Sequence, residues 1–94
     1  MYTRWSRFPL KPNTHDQAVE VGEKYAKVLH DLPGHVSTVM FADEDNYMSI
    51  STWDTREHAD AVKSTRDAAQ RDLLDILAGD PSTTIAATVI HDVR

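Results

Sequence analysis

Histidines, scattered arginines and a few aromatic side chains are the chemically useful parts of this 94-residue chain. The imidazoles of His58 and His91 could act as a base, because histidine changes charge near neutral pH. The guanidiniums of Arg4, Arg7 and Arg71 could stabilise an anion. Trp5, Tyr47 and Trp53 could form flat apolar walls around an aromatic ligand. Each residue also has a structural reading. Trp5 and Trp53 suit a core or a subunit interface as well as a pocket wall. His58 falls in the first turn of a helix, where a solvated imidazole needs no function, and His91 lies near the C-terminus on a strand. His30 ends a helix, where a cation suits the dipole. Asp43-Glu44-Asp45 reads as a solvated hairpin tip.

Several chemistries lack the residues they need. The chain has no cysteine, which removes disulfides, thiolate metal sites and a thiol nucleophile. His30 and His35 are separated by the helix-stopping Pro33-Gly34, and no His-Glu-x-x-His pattern occurs, so no metal site is expected. The three glycines stand apart and form no phosphate-cradling loop, so no nucleotide cofactor is expected either. Ten Lys and Arg against fifteen Asp and Glu give a formal charge of -5, and the basic residues are scattered. A phosphate-backbone binder concentrates its basic residues on one surface, so no nucleic-acid partner is expected. No segment approaches the roughly 18 apolar residues of a membrane span, and the first residues lack a signal-peptide pattern. The reading is a soluble, cytoplasmic protein with no membrane partner.

The elements that must position these side chains follow from periodicity. Residues 2–9 are rich in aromatic and strand-favouring types and end in a proline-containing turn, which predicts a first strand. Thr14-His15-Asp16-Gln17 has the form of a capping box, with the Thr14 and Gln17 side chains each satisfying a backbone donor. Behind it Ala18, Val21, Tyr25, Val28, Leu29 and Leu32 recur at helical spacing until Pro33-Gly34. Residues 35–41 and 47–53 predict two strands, and the short acidic turn between them makes the pair antiparallel neighbours. Asp54 or Thr55 caps a second helix with an apolar stripe from Ala59 to Leu77. Its polar middle, Lys63 to Asp67, suggests a kink or break, and Gly79 fits the position just past its end. Residues 83–90 predict a last strand.

The order is β-α-β-β-α-β across a single 1–94 domain. This is the ferredoxin-like α+β fold, with two helices on one face of a four-stranded antiparallel sheet. The other face then lacks a cover. A chain this short buries only about two thirds of its unfolded surface, so pairing sheet to sheet with a second copy is the expected remedy. Which face carries Trp5, Tyr47 and Trp53 depends on register, because a slip of one residue exchanges the faces.

Leu32-Pro33-Gly34, the strand and acidic turn after it, and Ser51-Thr52-Trp53-Asp54-Thr55-Arg56-Glu57 opening the second helix resemble the antibiotic biosynthesis monooxygenase (ABM) family. The resemblance covers nearly the whole chain and implies a dimeric α+β barrel with a pocket between sheet and helices, near Trp53. It further implies a cofactor-independent monooxygenase acting on a small aromatic, polyketide- or quinol-like molecule, or a non-catalytic small-molecule-binding or structural dimer of the same fold. On this reading Trp5, Ser6, Tyr47, Trp53 and Val62 bind substrate, with His58 as base and Arg71 as anion stabiliser. The haem-degrading branch carries Asn, Trp and His where this chain has Ser6, Val62 and Arg71, and arginine is unsuited to bind haem iron, so haem degradation is not expected. An RNA-recognition module shares the element order, but the third strand lacks its basic, glycine- and aromatic-rich signature.

Overall fold

The computed structural model describes residues 1–91. Strand β1 (Tyr2–Pro9) leads to helix α1 (His15–His30), and strands β2 (His35–Ala42) and β3 (Asn46–Trp53) form a hairpin. Helices α2 (Arg56–Ala61) and α3 (Lys63–Asp72) follow, then a 3-10 turn at Leu74–Ile76 and strand β4 (Ser82–Ala87). The sheet order is β2-β3-β1-β4, with every neighbouring pair antiparallel. This is the ferredoxin-like α+β arrangement expected from the sequence. Among the described residues no helix is long and apolar enough to cross a membrane.

Register assigns the two faces. Arg4 pairs with Ser51, Ser6 with Ser49 and Phe8 with Tyr47, and these residues point toward the helices. Trp5 and Arg7 alternate to the other face and are exposed. The hairpin tip closes through Asp43, whose Oδ1 accepts from the backbone N–H groups of Asp45 and Asn46, both at 2.8 Å. Those donors hold the Asp43 carboxyl below its ordinary pKa. Two apolar clusters form under the helices. Phe8, Leu10, Ala18, Tyr47 and Leu73 make one, and Leu29, Trp53, Ala59 and Val62 the other.

Three local expectations are corrected. The capping box does not form: Thr14 sits at the N-cap with φ -115° and ψ 7°, and its hydroxyl donates to the Lys11 carbonyl at 2.7 Å. Asn13, in the left-handed region at φ 63°, turns the chain so that this carbonyl is the nearer partner. The second helix does break, at Val62, but it ends at Asp72 rather than near Gly79. The end of β1 attracts the following residues into pairing, with Lys11 N–H donating to the Ile76 carbonyl at 2.8 Å and Ala78 N–H to the Pro9 carbonyl at 2.9 Å. The last strand stops at Ala87 rather than Ile90. Its pairing with β1 ends at Tyr2 opposite Ala87, and Thr88 N–H then bonds the Met1 carbonyl at 3.0 Å.

Gly34 explains the joint between α1 and β2. It has φ 78°, and a Cβ there would overlap the Asp54 carboxylate and the His58 ring. Only glycine combines that backbone with that close approach.

Candidate functional site

A cavity separates the sheet from the helices and lies between the two apolar clusters. Its floor is β1 and β3, with Met40 from β2, and its roof is α1 and α3. The space open to the centres of water-sized spheres is about 50 Å³, and the whole empty region including its mouth is about 540 Å³. A ligand larger than a few waters therefore needs the helices or their side chains to yield. The walls are mostly apolar, but the floor is not. Arg4, Ser6, Ser49 and Ser51 replace the aliphatic residues that an ordinary sheet face would present to its helices.

The sequence-expected residues divide by their place in the fold. Ser6, Tyr47 and Val62 line the cavity together. Ser6 shares a 2.9 Å hydrogen bond with the Thr83 hydroxyl, which anchors β1 to β4. The Tyr47 hydroxyl donates to the Met40 Sδ at 3.4 Å, and burial, then nearby Glu23, push its pKa up. Trp53 sits one layer back. It is fully buried, and its Nε1–H donates at 2.8 Å to Oγ of Ser51, a cavity-lining residue. Trp5 lies on the opposite face of the sheet, 43% exposed.

The structure does not bring His58 or Arg71 to the cavity. His58 Nδ1 contacts Asp54 Oδ1 at 2.6 Å beside Gly34, and this contact holds the Asp54 carboxyl below its ordinary pKa. Arg71 projects from α3 to solvent, because the turn that carries Ala69 and Leu73 inward carries Arg71 outward. His91 lies at the edge of the sheet, its Nε2 3.3 Å from the Ser37 hydroxyl.

Arg66, like Ser49 and Ser51, is a lining residue that sequence reasoning missed. It comes from α3, with Nη1 3.1 Å from Asp67 Oδ1 and Nη2 donating to the Pro81 carbonyl at 3.2 Å. Arg4 faces it from β1, donating from Nη1 to the Ala59 carbonyl at 3.1 Å. Burial, then the field of Arg66, lower the Arg4 pKa, while Asp60 and Asp67 act against the shift. The available signal was the inward-facing polar series Arg4, Ser6, Ser49, Ser51, which no plain core requires.

Among the described residues no imidazole or carboxylate lines the cavity. A second, wider groove runs between α1 and β2, with His15 lining it at one end of α1 and His30 and His35 at the other. His35 is turned by Thr38, its Nε2 2.7 Å from the hydroxyl, and sits edge-on to Trp53 at 5.3 Å between ring centres. Among the described residues no group of three or more His, Cys, Asp or Glu is placed to hold a metal ion.

No family model and no curated protein matches this sequence. Solved structures do match it in shape. One named an antibiotic biosynthesis monooxygenase gives a TM-score of 0.80 at 14% identity, covering 96% of this chain and 100% of its own. Rv0793 from Mycobacterium tuberculosis gives 0.80 at 12% identity, covering 98% of each chain. SnoaB, a cofactor-independent oxygenase from Streptomyces nogalater solved as a variant, gives 0.74 at 14% identity, covering 96% of this chain and 94% of its own. At these identities the likeness establishes a shared fold. Several of the neighbours bear the name of the family that the sequence resembles.

Proposed function

We propose that this protein is a cofactor-independent monooxygenase that oxidises a small electron-rich aromatic molecule, polyketide- or quinol-like, in the cavity between sheet and helices, working as a homodimer. One observation carries the reading: a mostly apolar cavity with a hydroxyl- and guanidinium-bearing floor, on a fold shared with a cofactor-independent oxygenase. In such chemistry the substrate supplies the electrons. Oxidation of a ring CH₂ to a carbonyl releases four electrons, which reduce O₂ so that one oxygen atom enters the product and the other leaves as water. The protein's part is to hold the substrate, favour its anion and exclude bulk water. The Tyr47 ring and the aliphatic roof supply the enclosure, and the hydroxyls of Ser6, Ser49 and Ser51 supply hydrogen bonds to ring oxygens. With no imidazole or carboxylate in the lining, the substrate proton leaves through the mouth to water.

Oxygen uptake tests this directly. Purified protein with a hydroxyanthrone and a chelator should consume oxygen in step with quinone formed, faster than the uncatalysed reaction. Ser51→Val should slow it by about tenfold, the effect of one lost hydrogen bond on a developing charge. Uptake equal to the protein-free rate, with the anthrone bound, would instead establish the non-catalytic binding dimer. The same absence of a base in the lining is the observation that favours that second reading.

A further inference from the structure

Two guanidiniums reach the cavity from opposite walls, Arg4 from the floor and Arg66 from the roof. Arg4 is 5% exposed. Its hydrogen bond is the one to the Ala59 carbonyl, and among the described residues no carboxylate lies within ion-pair distance of it. Its Nε is buried without a partner, and so is the Nε of Arg66. Buried arginine is ordinarily paired, and two like charges brought together in a low dielectric destabilise each other. Two guanidiniums brought to one cavity, each with a buried unpartnered Nε, cost stability of the kind that binding sites carry.

We propose that Arg4 and Arg66 form the seat for the carboxylate of a monoanionic, otherwise apolar ligand. Asp67 pairs with Arg66 as well as with Lys63, whereas Arg4 is the guanidinium of the two that has no carboxylate partner among the described residues. A carboxylate offers two oxygens in one plane, which can accept from more than one guanidinium N–H, and charge-assisted bonds of this kind are the strong ones. The rest of the ligand meets Phe8, Val21, Leu29 and Met40, which suit an aromatic or aliphatic body. This assignment rests on the reading of the cavity as the ligand site, and it specifies the substrate class.

Calorimetric titration of the full chain with sodium benzoate and 2-naphthoate, against benzamide and 2-naphthamide, tests it. The acids should bind at least about tenfold more tightly than the amides, a preference of about 1.4 kcal/mol. Arg4→Gln and Arg66→Gln should each abolish the preference. Arg4→Met guards against unfolding: the ligand-free variant should melt at or above the parent temperature, because a buried unpaired charge has gone, while carboxylate binding is lost. Equal affinity for acid and amide would overturn the assignment. So would acid binding unchanged in both glutamine variants, or inorganic phosphate competing as well as benzoate. Acid binding without oxygen uptake from an anthrone carboxylic acid would remove the oxygenase reading and leave this one. If neither acids nor amides bind, the cavity is not a ligand site and both fall.

Discussion

Trp53 and His35 show how far single residues here are fixed by their neighbours. Trp53 is fully buried against Leu29, Ala59 and Val62, with its one polar atom bonded to Ser51. Trp53→Ala should therefore cost about 3–5 kcal/mol, since the site is held from both sides and cannot collapse, and a urea unfolding curve measures it. His35 packs edge-on against that indole, and burial, followed by the field of His30, lowers its pKa from the ordinary 6.5. The folded state thus prefers the neutral ring. The associated stability is fully present above pH 6.5 and is lost as pH falls through the lowered folded value. The lowered carboxyls of Asp54, Asp67 and Asp72 act in a separate window, being fully present above 3.8 and lost as pH falls through their folded values. Urea midpoints at about pH 7.5 and about pH 5.5 should therefore differ in the parent, and differ less in His35→Gln. Equal drops in both proteins would show that another group titrates. Residue types in the sequence made Ser6, Tyr47 and Val62 legible as cavity residues once the family resemblance was drawn. They could not place Trp5 or Trp53, because face depends on register, nor His58 on α2 and Arg71 on α3, neither of which lines the cavity.

Helix α1 approaches the sheet at Gly22, and this contact shapes the cavity roof. A Cβ on Gly22 would overlap the hydroxyl end of Tyr47, which is itself 7% exposed and bonded to Met40. Two effects of Gly22→Ala oppose each other. Alanine is favoured over glycine in a helix interior by about 1 kcal/mol, whereas overpacking a buried contact costs about 1–3 kcal/mol. The Tyr47 ring is buried and its hydroxyl is held by Met40, so the overpacking should win. The variant should melt below the parent, and a melt at or above it would show that Tyr47 moves freely. The elements themselves were largely legible, because β1, α1 and the β2-β3 hairpin follow from alternation, helical spacing and Pro33-Gly34. The third helix shows where periodicity stops being sufficient. Leu73, Leu74, Ile76 and Leu77 keep helical spacing, yet the chain leaves the helix at Asp72 because Lys11 and Pro9 offer backbone partners 65 and 69 residues away in sequence. Local spacing carries no record of such distant partners. Thr14 departs for a local reason instead: its hydroxyl found a carbonyl three residues back.

At the scale of the molecule the uncovered side of the sheet is the dominant feature. Register lines up Thr84, Trp5, Ile50 and Val39 in one row across all four strands, and Arg7, Met48 and Phe41 in the next. Val39 is 58% exposed, Phe41 45% and Trp5 43%, so large apolar groups from two strands stand in solvent on one surface. A chain of 10.6 kDa has a thin core, and closing this surface against a second copy of itself would bury what the helices leave open. The pairing would be two-fold, each copy presenting the same rows to the other. Light scattering behind a sizing column should give twice the mass of the chain. Val39→Asp should return the monomer mass: the side chain is solvated in a lone subunit and would be desolvated without a partner charge in the pair. The variant's far-ultraviolet dichroism should stay that of the parent, because Val39 makes no contribution to either apolar cluster under the helices. A dimer that persists in Val39→Asp would mean that the copies meet through another surface. The exposed rows would then be free to cover something else, and the cavity on the far side of the sheet would be unaffected by the change.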